Sequence, residues 1–125
     1  MDDKTKSMMR AIAMQAARDA VLPEIRREGE AALRRLLPIA QRDTGQANVI
    51  ARFLLNLYNG NRFPMDMTDL RRLDYEPFDD CMAVLRMDSQ PQKEVHEYFE
   101  NGGVLFERLA EDHGFTDHGN QGAWR

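Results

Sequence analysis

The chain predicts an all-α protein, a compact bundle of about five to seven helices in a single domain. Three observations predict it. Apolar residues recur at spacings of three and four along most of the chain, while no segment alternates apolar and polar residues long enough to demand a strand. Capping residues and Gly or Pro stops divide the remainder into helix-length pieces. At 125 residues and 42% hydrophobic, the chain is long enough to bury a core of its own.

The first predicted element is an alanine-rich amphipathic helix over residues 1–22, in which Met9, Ile12, Ala13, Ala16 and Ala20 share one side. Leu22-Pro23 is expected to end or kink it, since proline disfavours helix in the preceding residue. A second helix from about Pro23 turns Ile25, Ala32, Leu33, Leu36, Leu37 and Ala40 inward, with Pro38 expected to bend or fray its last turn. In "DTGQANVIARFLLNLYNG", residues 43–60, Asp43 or Thr44 caps a helix beginning at about Gly45, with Gln46 near the capping-box position for Asp43. Its stripe is Ile50, Phe53, Leu54 and Leu57, with Asn48, Arg52, Asn56 and Asn59 facing away and Gly60 as a left-handed stop.

The breaker-rich segment "NRFPMDMTDLRRLDYEP" reads as a loop with one helical turn around Thr68–Arg72. Asp74 then opens a helix from about Pro77 to Met87 with Phe78, Cys81, Met82 and Leu85 inside. Val95–Phe99 and Val104–Ala110 read as two short helices around Gly102-Gly103, the second stopped by Gly114. Residues 1–115 are thus assigned to one helical domain and 116–125 to a flexible polar tail.

Composition narrows the function. A net charge of −4 is the opposite of the basic excess that tracks phosphates or anionic membranes. The single Cys81 excludes an internal disulfide, no apolar run reaches the ~20 residues of a membrane span, and the N-terminus lacks the pattern of a secretory signal. The expected setting is cytoplasmic.

Chemistry-bearing motifs are scarce. "HEYFE", residues 96–100, places Glu100 where the zinc-protease pattern needs a second histidine, so His96 reads as an exposed residue on a polar face. His113 and His118 read as surface residues, Cys81 as core filler, and Ser7 and Ser89 lie in no nucleophile elbow. "ENGGV" lacks the spacing and the lysine of a phosphate loop. No enzyme, cofactor or bound metal is expected.

Two binding readings remain. "LRRLLPIAQRDTGQANVIARFL" has the helix, turn, helix outline of a DNA-binding unit. There Gln46, Asn48 and Arg52 would meet bases and Arg26, Arg27, Arg34 and Arg35 would meet phosphates. Against this, Glu30 stands four residues from both Arg26 and Arg34 and can pair with them on a solvated face. The other reading is protein binding. The N-terminal helix carries Met8, Met9 and Ile12 on a broad, shallow apolar side that can pack on its own domain, on a partner or on a second copy as a homodimer.

The Ala40-Gln41 helix end, the Asp43–Gln46 turn, the Phe53-Leu54-Leu55 core and the Met67-Thr68-Asp69-Leu70 turn before Asp74 resemble a family of small uncharacterised bacterial proteins carried largely on plasmids, integrative elements and prophages. A fainter similarity continues through "EYFENGGVLFERL". The chain departs from that pattern at Pro38, at "LYNGNRFP" where related proteins tend to carry tryptophan, and in its long N-terminal helix. The resemblance implies a setting and no mechanism. Small acidic all-α proteins of mobile elements bind a host or element protein and block or adjust it, defence nucleases included, and this non-enzymatic accessory role is the expected function.

Overall fold

The computed structural model describes residues 1–119. Its described residues form four α-helices and two 3-10 helices with no strand, which is the all-α class expected.

Helix α1 is a single helix of 38 residues, Asp3–Ala40. Asp2 starts it by accepting the Thr5 N–H at 2.7 Å. Pro23 therefore does not end a helix, contrary to expectation. It forfeits one N–H and crowds the Asp19 carbonyl, but it is exposed to solvent and is flanked by Ala, Arg and Glu, which favour helix strongly enough to carry it across. Pro38 likewise lies inside the helix, and the Gln41 N–H still reaches Leu37 O at 3.1 Å. The two halves of α1 differ completely in environment. Residues 1–21 are all exposed, whereas Ile25, Ala32, Leu33, Leu36, Leu37 and Ala40 are buried.

Helix α2, Gly45–Tyr58, is the central element. Thr44 caps it through Oγ1, which accepts the Ala47 N–H at 3.0 Å. Ala47, Val49, Ile50, Ala51, Phe53, Leu54 and Leu55 are buried, so the helix is enclosed on more than one side by α1, α3, α4 and both 3-10 helices. Gly60 is not a left-handed stop. The helix closes at Asn59, extended at φ −160°, whose carbonyl accepts the Phe63 N–H at 2.9 Å and leads the chain to the buried Phe63.

The first 3-10 helix, Met67–Arg72, matches the expected turn, and Asp66 caps it by accepting from Thr68 N at 2.9 Å and Thr68 Oγ1 at 2.8 Å. Helix α3, Tyr75–Asp88, runs antiparallel to α1. Arg35 Nη2 reaches Asp80 Oδ1 at 2.8 Å, and Gly29 meets Met87 so closely that an added Cβ would lie 2.4 Å from Met87 Cβ. The expected inner stripe of α3 is rotated: Cys81, Val84 and Met87 are buried, while Phe78 and Met82 are half-buried and Leu85 is exposed.

The second 3-10 helix, Val95–Tyr98, leads through Asn101, left-handed at φ 55°, into α4, Gly102–His113. Gly102 and Gly103 thus open α4 instead of separating two helices. Gly114 at φ 68° ends it, and the Phe115 N–H returns to Ala110 O at 3.0 Å, as in a Schellman stop.

Phe115 folds back onto the bundle. It stacks on His113 at 5.4 Å and lies 4.0 Å from the Arg52 guanidinium. His113 is consequently no surface residue. Its Nε2 donates to Ala40 O at 2.6 Å, supplying one of the hydrogen bonds that the end of α1 lacks, while its Nδ1 faces Asn48 Nδ2 at 3.5 Å. Residues 116–119, assigned above to a tail, are held at Arg62, which binds Asp117 at 2.8 Å and accepts from the His118 N–H at 2.9 Å. The rest of that segment, 120–125, lies outside the described residues.

Candidate functional site

The residues nominated for nucleic acid are not gathered on one open face. Arg26 Nη2 donates to Gln90 O at 3.2 Å, and Arg34 Nη2 to Tyr98 O at 2.9 Å beside its ion pair with Glu30. Arg35 forms two hydrogen bonds with Asp80, and Arg27 pairs with Glu24 on the open surface of α1. At the start of α2, Asn48 faces His113, and Arg52 donates to Pro64 O at 3.1 Å. Asn48, Arg52, Asn56 and Asn59 are all half-buried, not turned away. Apart from Arg27, these side chains fasten elements of the chain to one another. Met8 and Met9, the nominated partner contacts, stand free in the exposed half of α1.

Gln46 has the most informative geometry. It forms no capping box with Asp43; its Oε1 accepts the Asp74 N–H at 2.8 Å and its Nε2 donates to Asp74 Oδ2 at 2.9 Å. This two-point clamp holds the junction between the first 3-10 helix and α3 against the start of α2. With Leu70 buried beneath as an anchor, the clamp fixes the two elements as walls of an open groove of about 660 Å³.

The groove is apolar. Leu70, Leu73, Phe78 and Met82 form its floor and inner walls, and Tyr75, 88% exposed, and Met67, 68% exposed, stand at its rim. Arg71 and Asp79 are its charged members. It arises because α3 carries two apolar stripes instead of one. Cys81, Val84 and Met87 face α1 and the core, whereas Phe78, Met82 and Leu85 follow the i, i+4, i+7 pattern about a third of a turn away. Reading both stripes as a single core face hid this surface; their combined width was the available signal.

A second cluster carries titratable groups. Tyr58 Oη donates to Glu107 Oε2 at 2.5 Å, and Arg62 binds both Glu107 oxygens at 2.6 and 2.8 Å. His96, half-buried and not exposed as expected, sets its ring edge-on to Tyr58 at 5.0 Å. The hydrogen bonds from Arg62 outweigh burial and hold the Glu107 carboxyl down at about 2; that carboxylate in turn, together with burial, pushes the Tyr58 phenol up. Glu107 therefore stays ionised and Tyr58 protonated near neutrality, far from the matched values of an acid–base pair. The cluster reads as a strut tying α2, α4 and Asp117 together.

That strut predicts a pH dependence. A carboxyl depressed in the folded state contributes stability above its ordinary value of 4.5, and the contribution is lost as pH falls toward about 2. Glu107→Gln is accordingly expected to lower the melting temperature near about pH 7, with the gap to the parent narrowing steadily from about pH 5 downward. A gap that stays constant across this range would show that ionised Glu107 contributes nothing.

Cys81 is fully buried, and desolvation pushes its thiol up to about 12, so it is a packing residue. Among the described residues no three His, Cys, Asp or Glu side chains converge as metal ligands, and no helix is long and apolar enough to cross a membrane. Residues 30–114 match a family of unknown function (DUF7673). No curated protein and no solved structure matches the chain.

Proposed function

The chain belongs to this family of unknown function, and from that premise we propose that it is a non-enzymatic, protein-binding accessory protein that takes an amphipathic helix of a partner into the groove between the first 3-10 helix and α3. The groove carries the reading. It is an exposed apolar surface on a protein whose charged residues make up 30% of the chain, and it lies wholly within residues 30–114, the part matched by the family. A helix laid in such a groove supplies apolar anchors at i, i+3, i+4 and i+7.

The resemblance to proteins of plasmids, integrative elements and prophages supports a host or element protein as the partner, a defence protein included, with blocking or modulation as the outcome of binding. DNA reading is supported less. The enclosure of α2 leaves it no free face to lay in a major groove, and Arg26, Arg34 and Arg35 already serve groups of the chain itself.

The test immobilises the full chain, captures protein from host lysate, and compares the parent with Met82→Glu and with Arg27→Ala as a surface control. Duplex DNA is titrated in parallel at low and moderate salt. The expected result is a captured protein lost with Met82→Glu and kept with Arg27→Ala, without salt-dependent DNA binding. Equal capture by all three proteins, or DNA binding that weakens with salt and with Arg27→Ala, would overturn the reading.

A further inference from the structure

The exposed half of α1 and the groove match in both chemistry and charge. Residues 4–18 carry Lys4, Lys6, Arg10 and Arg18 with no acid among them, and display Met8, Met9 and Ile12 to solvent. Residues 66–88, which build both walls of the groove, carry seven carboxylates against Arg71, Arg72 and Arg86, leaving four negative charges in excess. The first segment is a basic amphipathic helix that does not pack on the rest of the chain. The second is an apolar trough with acidic flanks.

We propose that the groove of one copy receives the N-terminal half of α1 from a second copy, so that the protein self-associates by exchanging these helices. The proposal rests on the groove being a helix-binding site and names its occupant. A second copy is required because α1 is unbroken from Asp3 to Ala40, so its first half cannot lie in its own groove without the helix breaking. Reciprocal exchange makes both contacts at once and closes as a twofold pair. Residues 1–29 lie outside the family match, and while seated this arm would cover the surface offered to other partners.

Opposite charges bring such surfaces together and make the contact sensitive to salt. A single helix in an open groove buries less than the ~800 Å² per partner of a standard interface, so micromolar dissociation is expected. Sedimentation of the full chain from about 1 µM to about 1 mM should show a monomer–dimer equilibrium, weakened about tenfold or more between low and moderate salt.

Charge reversal then identifies the surfaces. Lys6→Glu with Arg10→Glu removes the basic excess of residues 4–18, Glu76→Lys with Asp79→Lys removes the acidic excess of residues 66–88, and all four positions are exposed, so folding is checked simply by circular dichroism. Each double variant alone is expected to be monomeric, since the charge attraction at each contact is then lost. An equimolar mixture of the two is expected to dimerise, because the unaltered helix of one variant then meets the unaltered groove of the other.

A parent that stays monomeric throughout, or a mixture that fails to associate, overturns the proposal. So does a groove-reversed variant that dimerises like the parent, which would place the contact between the two N-terminal helices themselves. A monomeric parent whose lysate partner is still lost with Met82→Glu would remove self-association while leaving the groove as the partner site; survival of capture in Met82→Glu would remove the groove.

Discussion

Gly102→Ala is expected to be among the most damaging single substitutions in this chain, although it adds one methyl group. At the start of α4 the chain passes so close to the second 3-10 helix that a Cβ on residue 102 would lie 1.6 Å from the His96 carbonyl oxygen and 2.6 Å from its carbon. Both atoms are backbone, so no side chain can swing away to make room. The approach is held on either side by Gly102 N–H donating to Phe99 O at 3.0 Å and by Leu105 N–H donating to Asn101 O at 3.0 Å. Relief requires moving α4 away from the 3-10 helix, which would disturb Phe106 and Leu109 in the core. The cost should reach about 3 kcal/mol or more, a fall of roughly 10 °C or more in melting temperature. Gly103→Ala is the control: nothing lies within 4 Å of its added Cβ, and loss of unfolded-state entropy should leave stability unchanged or raised by up to about 1 kcal/mol. Equal melting temperatures for the two variants would show that α4 is not seated this tightly.

The need for glycine at 102 illustrates which parts of the structure the sequence disclosed. α2 was legible because its start and its apolar run are local signals: Thr44 caps it and Ile50, Phe53 and Leu54 are buried as expected. The same holds for the turn at Met67–Arg72 and for the buried second half of α1. What escaped depends on contacts distant along the chain. Gln46 looked like part of a local capping box, yet it clamps Asp74, 28 residues away. His113 looked like surface, yet it serves Ala40, 73 residues before it. Asn48, Arg52 and Asn56 are polar and helically spaced, which reads as solvent-facing until the loop after α2 and Phe115 fold over them. Pro23 was over-read, because a proline's local cost does not outweigh favourable helix formers on both sides. The groove was missed for a related reason: the pattern of α3 shows that two stripes are apolar, and only packing against α1 shows which of them is spare.

The groove side of α3 can be tested by making one chemical change there and, as a reference, in the core on α4. Phe106 is fully buried in an aromatic cluster, with its ring 5.4 Å from Tyr58 and 6.2 Å from Phe99, so Phe106→Ala empties a buried space in the core. The loss should be about 3–5 kcal/mol, enough to consume much of a small domain's stability. Phe78 is half-buried and lies on the groove side of α3, packed against the edge of the core. Phe78→Ala should therefore cost only about 1–2 kcal/mol, because part of the ring's surface was never removed from water and the remaining gap is open to it. The two variants are expected to separate again in association: Phe78→Ala remains folded and loses groove binding, measured at a temperature well below its transition. If Phe78→Ala instead melts as low as Phe106→Ala, the groove-side stripe is structural core and α3 has no spare face to offer a partner. A high melting temperature with undiminished binding would leave α3 divided as described but move the binding surface elsewhere.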